Sequence, residues 1–277
     1  MKKLIPIAVT FSLLTGVGIY SINDKKETAK AEETVNLYKE TIHSKMLNSI
    51  DHFKSAQGTF VYKSKPVGLN YSVDYKVQTR NGNRSNVKMK DSVQEINSVF
   101  DGEKITETYP KELAYQEYKI DEKAIEEQEQ ASKAKKSVKS RYDKTEKQEK
   151  VYNYRLDPTY MSSAALSVFP QEIALGFLED YSKWEITEKE KYLGQDVAVI
   201  TGTFNEYYSE KHKAETFKLW VDENRGILLK LEEYNKDNDI VTSLETTQFK
   251  VDSSFHSSAF KAKIPAKYKK SNHSLSE

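Results

Sequence analysis

Hydrophobic and polar residues alternate with a period of two along most of this chain. The clearest run is Leu69, Tyr71, Val73, Tyr75 and Val77, interleaved with Asn70, Ser72, Asp74, Lys76 and Gln78. Such a run is a strand with one apolar and one wet face. Asn81-Gly82 and Asp101-Gly102 are two-residue hairpin turns. Gly58–Tyr118 therefore reads as an antiparallel meander, from Thr59–Tyr62 through Val87 and Met89, Val99-Phe100, Ile105–Tyr109 and Leu113–Tyr118. Phe217–Val251 reads as a second meander, turning at Asp222–Gly226 and Asn235–Asp239. Val151–Arg155, Trp184–Thr187 with Tyr192, and Val197–Phe204 have strand character too, with Gly194 at a turn.

A helical period appears in three places. Val35, Tyr38, Ile42, Met46, Ile50 and Phe53 recur at spacings of three and four, which predicts an amphipathic helix from about Glu33 to Ala56, stopped by Gly58. His43 and His52 fall off that stripe and are expected in solvent. Asp157-Pro158 opens a helical region to Tyr181, divided by Pro170. Asp121–Lys150 carries eight acidic and nine basic side chains, with a thin stripe of Ala131, Ala134, Val138 and Tyr142. It is either a solvated helix or flexible excursion between strands, or a partner-docking arm. Tyr207–Lys213 reads as a polar loop with an exposed His212, and residues 269–277 as a polar tail that frays.

The N-terminus has the pattern of an export segment. Met1-Lys2-Lys3 precedes an apolar run from Leu4 to Ile22, and Ala29-Lys30-Ala31 matches a small-residue cleavage site. Residues 1–31 are either a cleaved signal peptide or an uncleaved anchor with Lys2 and Lys3 inside. Both readings put the following domain, 32–268, outside the cytoplasm, secreted or held at the outer face of the membrane.

Composition removes many kinds of chemistry. There is no cysteine, hence no disulfide, thiolate ligand, cysteine nucleophile or acylated-cysteine anchor. The 43 basic and 42 acidic residues leave a net charge of +1, which gives no footprint for nucleic acid. The five histidines are scattered, and no nucleophile elbow, zinc-protease helix, phosphate loop or dinucleotide fingerprint occurs. Asp237-Asn238-Asp239 lacks the glycine and distal glutamate of a calcium loop and reads as a turn. The expectation is a non-enzymatic protein without cofactor or metal.

Short motifs carry a resemblance. Lys183-Trp184-Glu185-Ile186 precedes Leu193-Gly194-Gln195-Asp196-Val197. Then come Leu219-Trp220-Val221-Asp222, Gly226–Lys230, Glu233-Tyr234, Phe260 and Ile264-Pro265. With Phe100-Asp101-Gly102-Glu103-Lys104, this order resembles the LolA/RseB-like superfamily, in a Gram-positive-type member, over Glu33–Tyr268. Leu228 stands where that family's late hairpin has a proline, and the charged Asp121–Lys150 segment is longer than the family pattern. The resemblance implies a mainly β fold: a curved antiparallel sheet, an open half-barrel, with helices over its concave face. It also implies a cavity that takes an acyl chain or lipidated peptide, or else an envelope signalling module that binds and regulates a membrane anti-sigma factor. Leu69, Tyr71, Val73, Tyr75, Val77, Phe217, Leu219 and Val221 are the candidate cavity lining, although the same alternation suits plain core beneath helices.

Overall fold

Alternating residues bury one side of a strand only if strands pair and something covers the apolar face. In a computed structural model of the chain, which describes residues 22–120, 123 and 135–271, both conditions are met. The chain divides into two units, Met1–Leu37 and Tyr38–Glu277. The described part of the first is the opening length of helix α1 (Ile22–Leu47), whose Val35 and Leu37 are exposed. Ala29-Lys30-Ala31 is helical, while most of the apolar run of the export segment lies outside the described residues. Among the described residues no helix is long and apolar enough to cross a membrane.

The second unit is built on one twelve-stranded sheet. Its first half is the antiparallel meander β1 (Ser55–Ser64), β2 (Leu69–Gln78), β3 (Arg84–Lys90), β4 (Glu95–Phe100), β5 (Lys104–Tyr109) and β6 (Ala114–Lys119). Its second is β9 (Trp184–Tyr192), β10 (Gln195–Thr203), β11 (Thr216–Asp222), β12 (Leu228–Tyr234) and β13 (Ile240–Val251). Antiparallel pairing of β1 with β13 joins the halves. Register shifts at Thr59/Phe60, Val199/Ile200, Trp220/Val221 and Glu233/Tyr234 interrupt the ladders. Such irregularities bend strands and increase twist. The sheet is curved and unclosed, an open half-barrel.

The sequence expectations need five corrections. Helix α1 ends at Leu47 rather than Ala56, where Asn48 turns back to bond Ser44 O, and Gly58 lies within β1. A Cβ on Gly58 would come within 2.5 Å of Gln248 O and 2.7 Å of the Tyr75 hydroxyl, so this glycine serves close strand packing instead of stopping a helix. His43 is fully buried, not solvated, because the 135–155 segment folds over it. That segment carries a hairpin of β7 (Tyr142–Lys144) and β8 (Lys150–Tyr152), so Tyr142 belongs to a strand and not to a helical stripe. Of the earlier part of Asp121–Lys150 only Lys123 is described, and it is helical. Arg141 is buried and donates to Leu47 O and Asn153 O, which ties the hairpin down. Tyr207–Lys213 is not a loop but mostly helix α4 (Glu206–His212), and its His212 is half-buried. Lys269–Lys270 does not fray: as β14 it pairs in parallel with β6. Ala131, Ala134 and residues 272–277 lie outside the described residues.

Helices cover one face of the sheet. The last turns of α1 supply Ile42, Met46 and Leu47, and the region divided by Pro170 supplies α2 (Ala165–Val168) and α3 (Gln171–Phe177). These pack with Phe60, Val73, Val77, Leu219, Leu229 and Leu244 in one continuous core. The β11–β12 turn positions α1. Asp222 is wholly buried and accepts from the backbone N–H groups of Asn224 and Arg225 at 2.8 and 2.9 Å, fixing the turn as an Asx loop. Lys45 Nζ caps it by donating to Glu223 O at 2.6 Å. Gly226 has φ +73° and lies so close to α1 that a Cβ would sit 2.2 Å from the carbonyl carbon of Lys45. The Trp-x-Asp…Gly motif is therefore the seat of a helix.

Gly226→Ala should destabilise the protein by on the order of 3 kcal/mol, since it combines a left-handed backbone with a backbone clash. Gly68→Ala should cost only about 1 kcal/mol, because that position also has positive φ (+68°) but open space around it. Urea unfolding of both variants checks the difference.

Candidate functional site

On the inner face of the sheet, strand pairing aligns residues in rows. Tyr71, Tyr62, Leu244 and Leu231 make one row across β2, β1, β13 and β12. Leu69, Ser64, Thr242 and Glu233 make the next, nearer the β1–β2 turn. Helices α2 and α3 share one core with the deeper rows and with Leu244, while Tyr71, Tyr62 and Leu231 of the first row and all four residues of the second border open space. A cavity of about 350 Å³ remains between these helices and the sheet, with Leu166, Ile173 and Phe177 opposite the strands and Tyr208 and His212 of α4 at its side. Val67 and Leu69, 63% and 46% exposed, stand at its edge. A second, apolar groove of about 290 Å³ against α2 and α3 shares Leu166, Glu172 and Ile173 with it.

The eight residues expected to line a cavity divide into two groups. Leu69 and Tyr71 line this one. Val73, Tyr75, Val77, Phe217, Leu219 and Val221 are at most 1% exposed and lie in the packed core. Phe217 also borders a wider, polar depression of about 770 Å³ beside Trp184, Gly202 and Lys218. Strand alternation placed all eight on the inner face; how far the helices reach decides which of them meet open space.

Other lining residues were not singled out from sequence. Tyr62 and Leu231 had the right alternation but sit in strands that read as less regular. Helix α4 was legible in principle: Asn205 is its N-cap, accepting from Tyr208 N at 2.9 Å, ahead of Glu206 in the first turn. Its His212 Nδ1 lies 3.0 and 3.1 Å from the two carboxylate oxygens of Glu233. No pattern in sequence links residues 21 apart on a helix and a strand.

The cavity is lined mainly by aromatic and aliphatic side chains, with a few polar groups among them. Tyr62 and Tyr71 rings meet at 5.1 Å. Burial, followed by the nearby Glu233 carboxylate, pushes the Tyr62 hydroxyl above its ordinary range, so it stays a neutral donor. Among the described residues, no group of three or more His, Asp and Glu is placed to hold a metal ion. Elsewhere, His43 sits between two tyrosines, Nδ1 at 3.1 Å from the Tyr181 hydroxyl and Nε2 at 3.2 Å from that of Tyr142. Burial pushes its imidazole down to about 4. This cluster clamps the 135–155 segment to α1.

No protein-family model matches the chain, and no curated protein matches it. Solved structures do. MucB is 16% identical, with a TM-score of 0.41 over 79% of this chain and 62% of MucB. The MucA/MucB complex of Pseudomonas aeruginosa gives 16% identity and a TM-score of 0.39 over 80% and 61% of the two chains. Lipoprotein LppX of Mycobacterium tuberculosis gives 10% identity and a TM-score of 0.38 over 78% and 97%. The chain thus spans about three-fifths of the length of MucB.

His43 makes stability depend on acid. Its imidazole lies at about 4 when folded and near 6.5 when unfolded, so stability is full above pH 6.5 and falls as pH drops towards 4, by about 3 kcal/mol. Urea unfolding at pH 7.5 and pH 4.5 should show a smaller loss in His43→Gln than in the parent. An equal loss would mean that other groups carry the acid sensitivity.

Proposed function

We propose that this chain is a non-enzymatic, extracytoplasmic binding protein that holds an acyl chain, free or on a lipidated peptide, in the 350 Å³ cavity. The supporting observation is the cavity itself: an open space on the covered face of a half-barrel, walled by Tyr62, Tyr71, Leu166, Ile173 and Phe177. Concave, mostly apolar spaces with few polar groups are the usual form of small-molecule sites, from about 300 Å³ upward. Leu69 and Tyr71 are the contacts in this reading, and the six packed residues form the wall behind them.

The energetics suit a chain of modest length. About ten methylenes at ~0.8 kcal/mol each contribute about 8 kcal/mol before ordering costs, which caps affinity near micromolar. The groove beyond Leu166 and Ile173 offers a longer chain further apolar surface. The extracytoplasmic address follows from the basic and apolar pattern of Met1–Ile22. A module that binds a membrane anti-sigma factor or other envelope protein is the alternative; it would retain its partner with the cavity blocked.

Displacement of a fluorescent fatty acyl probe tests the reading. Leu166→Trp, which fills the cavity, and Leu69→Lys, which charges its edge, should each weaken binding by about tenfold or more while leaving the unfolding midpoint nearly unchanged. Unaltered probe binding in both variants would rule this cavity out.

A further inference from the structure

The floor of the cavity is apolar except for one row. Ser64, Thr242 and Glu233 face each other across β1, β13 and β12, in line with Leu69. The Ser64 and Thr242 hydroxyls meet at 3.2 Å, and the Glu233 side chain is 2% exposed. A carboxylate buried at the edge of an apolar space is costly unless it is paired. Its partner is His212, whose Nδ1–H is shared between the two oxygens at 3.0 and 3.1 Å.

That geometry leaves acceptors unused. A carboxylate has about four acceptor positions, and one shared N–H does not fill them. Charge points the same way. Four groups with charge or the capacity for it line the cavity: Glu233 and Glu172 against Lys211 and His212. Glu172 and Lys211 are exposed and screened by solvent, whereas Glu233 is not. The Tyr62 hydroxyl registers the result, since Glu233 and Glu172 both act to keep its proton on.

We infer that the acyl ligand carries a non-anionic head with hydrogen-bond donors, a hydroxyl, an amide N–H or an ammonium, and that the Glu233–His212 pair reads it. This inference rests on the acyl reading of the cavity above. A fatty-acid carboxylate or a phosphate would lie against the fixed charge of Glu233. An ammonium head would donate to the same carboxylate. A hydroxyl or amide donates to Glu233 without the charge conflict of an anionic head, and the Ser64–Thr242 pair extends the polar track beside it. His212 acts by orienting and partly neutralising the carboxylate, and Glu233 makes the discriminating contact.

The test compares three probes with one chain length: monolauroylglycerol, laurate and dodecylamine, each competing with a fluorescent acyl ester. The glycerol ester and dodecylamine should each bind about tenfold or more tighter than laurate. Laurate binding as tightly as either overturns the head-group inference and leaves the acyl reading standing. If none of the three binds, the acyl reading fails and this inference with it. Glu233→Gln should bring the laurate and glycerol-ester affinities close together, with thermal unfolding reporting whether the variant folds. Lys211→Glu, on the exposed edge, should widen the gap. An unchanged ratio in the folded variants overturns the role assigned to Glu233.

Discussion

The inner face of the curved sheet is wider than the helices that cover it. A sheet with one apolar face must hide that face or leave it available. Here the last turns of α1, with α2 and α3, pack over Phe60, Val73, Leu219 and Leu244 and then run out. The rows nearer the β1–β2 turn keep aromatic and aliphatic side chains with open space above them. That uncovered remainder is the cavity, and its size is set by where the helices are held.

Two devices hold them. The β11–β12 turn, locked by buried Asp222 and free of a Cβ at Gly226, seats the end of α1. The 135–155 segment clamps the other side through Arg141 and through the Tyr142–His43–Tyr181 contacts. Both devices place polar or strained elements in the interior, where they are expensive. Each fixes a helix position that apolar packing alone would leave free to slide. Function in this account depends on what the helices leave open, so their placement matters as much as the sheet.

Much of the architecture was legible along the chain. Period-two alternation gave both meanders, with Asn-Gly and Asp-Gly turns in the first and the longer turns Asp222–Gly226 and Asn235–Asp239 in the second, because local turn geometry and pairing of neighbours act over a few residues. The site was legible only in part. Alternation identifies the inner face but says nothing about cover, so Val73, Tyr75, Val77, Phe217, Leu219 and Val221 looked the same as Leu69 and Tyr71. The buried His43 and the Glu233–His212 pair were missed for another reason: each joins segments far apart in sequence, and nothing local marks either partner. The charged stretch before Lys150 read as solvated because its composition hides the one buried arginine that anchors it.

The central claim is that the open inner-face rows, and not the packed ones, receive an acyl chain. A spin-labelled acyl ester added to methyl-labelled protein tests it most directly. Paramagnetic broadening should concentrate on the methyl groups of Leu69, Leu166, Ile173 and Leu231, which border the cavity. The methyls of Val77 and Val221, in the sealed core, should broaden far less. Uniform weak broadening, or broadening centred away from the cavity, would contradict the account.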